Sequence, residues 1–242
     1  MLIKRYFAVM LLVSTVIACV NVWANEEIEN LKRNLSAILP PNFAIESVEP
    51  SAMDGTYIVT VGAQIMFVHS VGNHIMVGDV YDTKRQVNIV EEHKNELLAK
   101  AIADIPESEM VLMGEPAERY VTVFTDTDCH FCQLFHKTVP ELQANGMQVR
   151  YLMFPRAGLK SDSYNEAVSV WCSENSAAAM TIAKAGGNVP HKVCENPVAN
   201  QFELGRKIGV RGTPTLILDN GKVIPRYMTA KELLAEAGMD AE

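Results

Sequence analysis

Two cysteines separated by two residues, Cys129 and Cys132, stand in the stretch TDTDCHFCQLFH, directly after an apolar run. Such pairs occur in dithiol redox centres, in zinc sites and at haem attachment points. Covalent haem attachment requires a histidine directly after the second cysteine, and Gln133 occupies that position. The haem interpretation therefore fails. Redox chemistry, a zinc site and two inert buried thiols remain.

A zinc site would need further ligands close to this pair. His130 and His136 could supply ring nitrogens. A structural zinc site, however, normally joins such a turn to a second ligand pair, and Cys172 and Cys194 are too far apart in sequence to form one. Zinc is therefore the less favoured alternative, and we predict a site without metal or other cofactor.

Redox chemistry explains more of the local pattern. At a strand end that opens a helix, free N–H groups and the positive helix end stabilise a thiolate. Cys129 has that position and is the predicted nucleophile, whereas Cys132, one turn later, can resolve a mixed disulfide. A protonated His130 would stabilise the thiolate and Asp128 would raise the thiol pKa, so their net effect stays open.

Two other polar residues near the cysteines receive ordinary structural roles. His136 is predicted to lie on the solvated face of the helix that Cys129 opens. Asp126 could carry protons, but we favour the interpretation that it simply ends the strand.

The N-terminus has the pattern of an export signal. Lys4 and Arg5 precede an apolar stretch, and Val22-Trp23-Ala24 is a small-residue cleavage site. Residues 1–24 are therefore predicted to be a signal peptide cut after Ala24, with an apolar run too short to span a bilayer. The alternative is a lipoprotein anchored at Cys19, since the preceding residues resemble a lipobox.

Export to an oxidising compartment also bears on the remaining cysteines. An even number of cysteines in an exported chain favours disulfides. Cys172 and Cys194 lie in helical sequence without activating neighbours, so we predict a structural disulfide contributing about 3 kcal/mol. Two free buried thiols are the alternative. The formal charge of −8 argues against nucleic acid as a partner, because phosphate binding requires a basic surface.

The order of periodic segments divides the mature chain into three parts. Residues 25–88 read as one helix followed by short strands, a small α+β unit that pairing with a second copy would stabilise. Residues 89–107 contain a predicted linker helix. In residues 108–242 the order is strand, helix, strand, helices, hairpin and helix. Pro140 should bend the helix after Cys132, and Asn220-Gly221 should form the hairpin turn.

The stretch Gly212-Thr213-Pro214 precedes a predicted strand. By frequency the bond before Pro214 should be trans, because only about 5–6% of such bonds are cis in folded proteins. A proline that precedes a strand could leave the backbone before it free to pair with an extended peptide.

Several separated stretches together resemble one known family. FTDTDCHFC, VRYLMFPRAGL, Trp171-Cys172, Cys194, GVRGTPTLIL and HIMVGDVYD are similar to the DsbC/DsbG family of periplasmic thiol:disulfide interchange proteins. The resemblance implies an α+β chain with a C-terminal thioredoxin-like fold that carries a helical insertion. It also implies a small N-terminal cystatin-like dimerisation domain and a homodimer paired through strands around residues 63–69.

The resemblance further implies an activity and the residues that support it. The chain would isomerise incorrect disulfides in misfolded exported proteins, have chaperone activity and be kept reduced by a DsbD-like membrane reductant. Pro214 would be cis and Thr213 would face the cysteines. His130 and Phe131 stand where the family has a small residue or proline and then tyrosine, and Asp128 replaces an uncharged residue. These departures leave the reaction type intact but leave open the redox potential and the balance of isomerase against oxidase or reductase activity. A dithiol oxidase is therefore one alternative, and a dimeric holdase chaperone with little isomerase activity is an alternative of a different class.

Overall fold

The structure is a computed structural model, and it describes residues 26–40, 44–62, 64–71 and 74–239. The predicted signal peptide and Cys19 lie outside the described residues, as does Ala63. The chain divides into two compact units between Val90 and Glu91. Within the described ranges no helix has both the length and the apolar character needed to cross a membrane.

The first unit is a helix packed on an antiparallel sheet. Its helix and strands are α1 (26–38), β1 (Ile45–Pro50), β2 (Thr56–Val61), β3 (Gln64–His69) and β4 (Ile75–Met76). The strands pair in the order β1-β2-β3-β4. Leu31 and Leu35, one turn apart on α1, are buried against Val59 and Val68 of the sheet, because the period of α1 matches one face of the strands.

A short hairpin and a long helix follow this sheet. They are β5 (Tyr81–Asp82), β6 (Val87–Asn88) and α2 (Ile89–Ala103). Helix α2 begins with Glu91 and Glu92 in its first turn, where carboxylates interact favourably with the helix dipole.

The second unit contains a five-stranded sheet with helices between its strands. Its strands are β7 (Val111–Met113), β8 (Arg119–Thr125), β9 (Met147–Met153), β10 (Thr215–Leu218) and β11 (Val223–Ile224). The strand order is β11-β10-β8-β9-β7, in which only β8 and β9 are parallel. The two parallel strands lie at the centre, and Val121, Val123, Val149 and Tyr151 are fully buried there.

The helices of this unit connect the strands in a recognisable order. They are α3 (His130–His136), α4 (Val139–Ala144), α5 (Asp162–Trp171), α6 (Ser176–Lys184), α7 (Val198–Lys207) and α8 (Ala230–Glu236). Helices α3 and α4 join β8 to β9, and α8 follows the β10–β11 hairpin. This is the thioredoxin-like topology, and α5, α6 and α7 form the helical insertion between β9 and β10.

The prediction that Pro140 bends one helix is wrong. The chain forms two helices, and Pro140 lies in the first turn of α4. Proline has no N–H to donate and its ring collides with the carbonyl four residues earlier, so it ends α3. In the first turn of a new helix the missing N–H costs nothing, because it would have no intrahelical partner there.

The predicted hairpin turn is confirmed by the antiparallel pairing of β10 with β11. Gly221 has a φ of 81°, which residues with a side chain rarely adopt. A Cβ atom at this position would lie 1.6 Å from the carbonyl oxygen of Asn95 in α2. The turn therefore requires glycine, and its backbone lies directly against α2.

Candidate active site

Cys129 lies at the junction between β8 and α3. Its backbone is extended, and its Sγ atom accepts a hydrogen bond from the backbone N–H of Cys132 at 3.3 Å, so it caps the helix. Both cysteines carry free thiols, and each is only 1% exposed. The local sequence produces this arrangement because the β-branched and aromatic run of β8 ends at Thr125, and the helix begins at His130.

The loop before β10 faces the two thiols. Strand β10 pairs with β8, with Thr215 opposite Phe124, and this pairing brings the loop to the end of β8. The peptide bond between Thr213 and Pro214 is cis, the isomer that the family resemblance implies and that frequency alone does not favour. The Cys129 thiol lies 3.2 Å from the carbonyl oxygen of Thr213, to which it can donate when protonated.

The surroundings make the two thiols chemically unequal. The pKa of Cys129 is lowered from 9.0 to about 5, and a hydrogen bond from the Cys132 side chain is the largest cause. The Thr213 side chain, the Cys132 amide and the Arg156 guanidinium act in the same direction, against the effect of burial. Burial and the same hydrogen bond raise the pKa of Cys132. At neutral pH Cys129 is therefore a thiolate and Cys132 is a thiol, which is the division of roles that a nucleophile and a resolving cysteine require.

An ion pair between a buried carboxylate and a partly exposed guanidinium holds the loop that precedes Cys129. The Asp126 carboxylate is 2% exposed and accepts from Arg156 Nε at 2.8 Å and from the Asp128 backbone N–H at 3.1 Å. Arg156 also donates from Nη2 to the carbonyl oxygen of Asp128 at 2.6 Å. Asp126 thus lies at the strand end, and its partner Arg156 is a residue that the sequence did not single out.

The prediction that His136 lies on a solvated face is wrong. The residue is 9% exposed, with Nδ1 at 2.9 Å from the Tyr151 hydroxyl and Nε2 at 3.1 Å from the Thr181 hydroxyl. The physical reason is that Thr181 belongs to α6, and the inserted helix covers this face of α3. Burial, together with the positive charge of Lys184, lowers the pKa of His136 to about 4, so the ring is neutral at neutral pH.

This arrangement also bears on the zinc alternative. Both ring nitrogens of His136 are engaged by hydroxyl groups, so they do not point at the cysteines as ligands. Among the residues that the structure describes, no three or more histidine, cysteine or carboxylate side chains form a group that could hold a metal ion.

The residues between and before the cysteines form the rim of the site. Asp128, His130 and Phe131 are all exposed, and Phe131 exposes 56% of its surface. The rings of His130 and Phe131 meet edge to face with centroids 5.7 Å apart. The rim therefore offers an aromatic surface and a carboxylate beside the buried thiols.

A second cysteine pair lies in the insertion. Cys172 and Cys194, the pair that the sequence assigns to a structural disulfide, are joined by an S–S bond of 2.04 Å across a sequence separation of 22. The bond links the end of α5 to the segment before α7 and encloses α6 in a covalent loop.

Helix α6 contributes a buried lysine that the sequence did not single out. Lys184 is 3% exposed, and its Nζ atom donates to the Thr125 hydroxyl and to the Asp126 carbonyl oxygen, each at 2.7 Å. No local pattern marks this residue, because its acceptors lie almost sixty positions earlier in the chain.

A reactive thiolate that caps a helix, a second thiol one turn later and a cis-proline loop opposite them, on this topology, define a thioredoxin-like thiol–disulfide oxidoreductase. Two family models match the chain, a thioredoxin-like domain over residues 106–238 and the disulfide bond isomerase protein N-terminal domain over residues 22–91. The chain belongs to the DsbC family of thiol:disulfide interchange proteins.

Individual relatives support this membership. The thiol:disulfide interchange protein DsbC of Escherichia coli K12 is 34% identical over 189 residues, which is 77% of this chain and 78% of that protein. DsbC of Haemophilus influenzae is 28% identical over 232 residues, or 96% of each chain. The crystal structure of a disulfide interchange protein from Neisseria gonorrhoeae is similar with a TM-score of 0.50 and 27% identity, covering 56% of this chain and all of that one.

Proposed function

We propose that this protein is a periplasmic disulfide isomerase that reduces and reshuffles incorrect disulfides in misfolded exported proteins. The observation that carries the proposal is the inequality of the two thiols: the pKa of Cys129 is lowered to about 5, whereas that of Cys132 is raised. A nucleophile that is ionised at neutral pH can open a substrate disulfide without a separate base.

The first step forms a mixed disulfide. The Cys129 thiolate attacks one sulfur of a substrate disulfide, the substrate S–S bond breaks, and the other substrate sulfur leaves as a thiolate. That thiolate can attack another disulfide of the substrate until a substrate cysteine releases Cys129. This route leaves the number of disulfides unchanged and is isomerisation.

The second route is reduction. Cys132 loses its proton and attacks the Cys129 sulfur, so that a Cys129–Cys132 disulfide forms and the substrate leaves with two additional electrons. Cycling then requires an external dithiol, and we infer a DsbD-like membrane reductant as the partner that supplies it.

Substrate is proposed to bind across the rim and the cis-proline loop. The backbone before Pro214 is placed beside Cys129, so an extended peptide could pair with it as an added strand. The exposed ring of Phe131 offers apolar contact next to the substrate cysteine.

We further propose export and dimerisation. Residues 1–24 would direct secretion and be removed after Ala24, or Cys19 would carry a lipid anchor. The first unit would pair with a second copy through the region around residues 63–69. The match of that unit to the isomerase N-terminal domain supports the proposed dimerisation.

Refolding of a scrambled disulfide substrate tests the proposed chemistry. Wild-type protein should restore native disulfides, and the Cys129→Ser variant should not. Cys132→Ser should keep part of the isomerisation and lose net reduction. Full rescue by Cys129→Ser would refute the mechanism.

Two alternatives each have an observation in their favour. A low pKa at Cys129 stabilises the reduced form and makes the disulfide more oxidising, which suits a dithiol oxidase. Thiol trapping in cells separates the two, because an isomerase is mainly reduced at this pair and an oxidase is mainly oxidised. A holdase chaperone is favoured by exposed apolar side chains in the first unit, namely Val71, Val77 and Tyr81. In that case the Cys129→Ser variant would still suppress aggregation, and the wild-type protein would show little isomerase activity.

A further inference from the structure

Lys184 brings an ammonium group into the interior beside the reactive cysteines. It ends α6, is 3% exposed, and gives two hydrogen bonds of 2.7 Å to the neutral oxygens of Thr125 and Asp126. Neither acceptor carries a charge that would balance the ammonium. A buried charge is costly unless an opposite charge compensates it.

Three elements present titratable groups to this amine. Helix α3 and the residue that caps it present the two thiols and a histidine, the end of β8 presents a carboxylate, and α5 presents another. These residues are Cys129, Cys132, His136, Asp126 and Glu166. The Asp126 carboxylate is already paired with Arg156, and His136 is neutral. The charge that changes during the reaction is therefore the charge on the thiol pair.

The charge of Lys184 acts mainly on the resolving thiol. Burial lowers the pKa of Lys184, and negative charge at Cys132 is the largest influence that opposes this effect. Reciprocally, the ammonium lowers the pKa of Cys132, against burial. Lys184 is 3% exposed and Cys132 is 1% exposed, so the amine and the resolving sulfur interact through the protein interior rather than through solvent.

We propose that Lys184 is a positioning residue for the resolving step, in which its buried ammonium stabilises the negative charge that develops on Cys132. The inference rests on the proposed thiol–disulfide function and assigns that function a group from the inserted helix. In the mixed disulfide Cys129 is bonded to substrate and carries no charge, so Cys132 becomes the one thiol of the pair that can compensate Lys184.

The step balances with groups already present. Cys132 loses its proton to water, and its thiolate attacks the Cys129 sulfur. The Cys129–Cys132 bond forms as the bond from Cys129 to the substrate sulfur breaks, and the substrate sulfur leaves as a thiolate that takes a proton from water. The enzyme dithiol is oxidised, the substrate gains two electrons, and Lys184 stays protonated throughout.

Rapid-quench kinetics with oxidised glutathione at pH 7 separate the two chemical steps. In Lys184→Met, formation of the mixed disulfide at Cys129 should stay within about threefold of wild type. Its resolution by Cys132 should slow about tenfold or more, since an opposite charge nearby shifts a pKa by a unit or more. Lys184→Arg, which keeps the charge, should restore most of the rate. Lys207→Met removes an exposed ammonium from α7 and should change neither step.

Resolution at the wild-type rate in folded Lys184→Met would overturn the proposal. Equal slowing of both steps would also overturn it, because that result indicates general distortion of the site. If Lys184→Met does not fold, lysine side-chain nitrogen NMR of the unmodified protein decides the question. The Lys184 ammonium should titrate at higher pH in the reduced protein than in the oxidised one, and identical titrations would refute the coupling.

Failure of this inference is distinguishable from failure of the proposed function. Glutathione exchange reports the thiol chemistry without any protein substrate. If the scrambled-substrate assay succeeds and the resolution rate is insensitive to Lys184→Met, the isomerase proposal stands and the role of Lys184 is wrong.

Discussion

The thiol of Cys132 should control the ionisation of Cys129 more than any other group does. Its hydrogen bond is the largest cause of the lowered pKa of Cys129. A hydrogen bond to a charged group contributes about 1.5–3 kcal/mol, and one pKa unit corresponds to about 1.4 kcal/mol. Cys132→Ala should therefore raise the pKa of Cys129 by about 1–2 pH units, while Cys132→Ser, which keeps a donor, should raise it less.

The ionisation can be followed directly. Thiolate absorbance at 240 nm and the rate of alkylation by iodoacetamide, each measured from pH 3 to pH 9, report the titration of Cys129 in both variants. The wild-type protein should titrate near pH 5. A Cys132→Ala variant that titrates with the wild type would refute the reasoning, and so would equal shifts in the Ala and Ser variants.

Three further predictions concern stability. Arg156→Met leaves the buried Asp126 carboxylate without its partner guanidinium, which is itself 44% exposed. Urea unfolding should therefore show a loss of about 1–3 kcal/mol in the free energy of unfolding, partly recovered by Arg156→Lys. An unchanged free energy of unfolding would contradict a stabilising role for this ion pair. Replacing Cys172 and Cys194 together by alanine removes the disulfide that closes a loop with a sequence separation of 22. The free energy of unfolding should fall by about 3 kcal/mol in the same assay, and a fall below about 1 kcal/mol would contradict a structural role for the disulfide. The pKa of His136 is lowered to about 4. The unfolded chain therefore binds a proton between pH 6.5 and pH 4 that the folded chain does not, and this contribution to stability is present above pH 6.5 and lost as the pH falls toward 4. In the same assay, the stability lost between pH 7 and pH 4.5 should be about 2 kcal/mol smaller in His136→Gln than in the wild type; an equal loss in the two proteins would contradict the assignment.

Local sequence was sufficient where one short segment determines the structure. Cys129 could be placed at a strand–helix junction because the apolar run before it and the helical run after it are both within fifteen residues. Asn220-Gly221 could be placed in a turn because few residues other than asparagine and glycine adopt the backbone angles that a tight hairpin turn requires. At Pro140 the local sequence does not distinguish a bend from a break, since proline is compatible with both a kinked helix and the first turn of a new helix.

The features that needed the structure depend on distant parts of the chain. His136 looks like a surface residue until α6, some forty-five positions later, covers it. Asp126 and Arg156 are thirty positions apart, and nothing in either segment identifies the other as its partner. The cis bond before Pro214 is disfavoured by frequency, and the expectation of cis came from the family resemblance alone.

The disulfide around α6 gives this chain two opposite redox requirements. The segment between Cys172 and Cys194 contains Thr181 and Lys184, the residues that contact His136 and the strand end below the thiols. That bond must be oxidised for the segment to be held, while Cys129 must be reduced to act. If the chain is exported as proposed, a newly exported copy would need another oxidant to close this disulfide before it acts. A reductant strong enough to reduce both cysteine pairs would free the Cys129 thiolate and, in the same treatment, open the Cys172–Cys194 disulfide that holds the segment around α6.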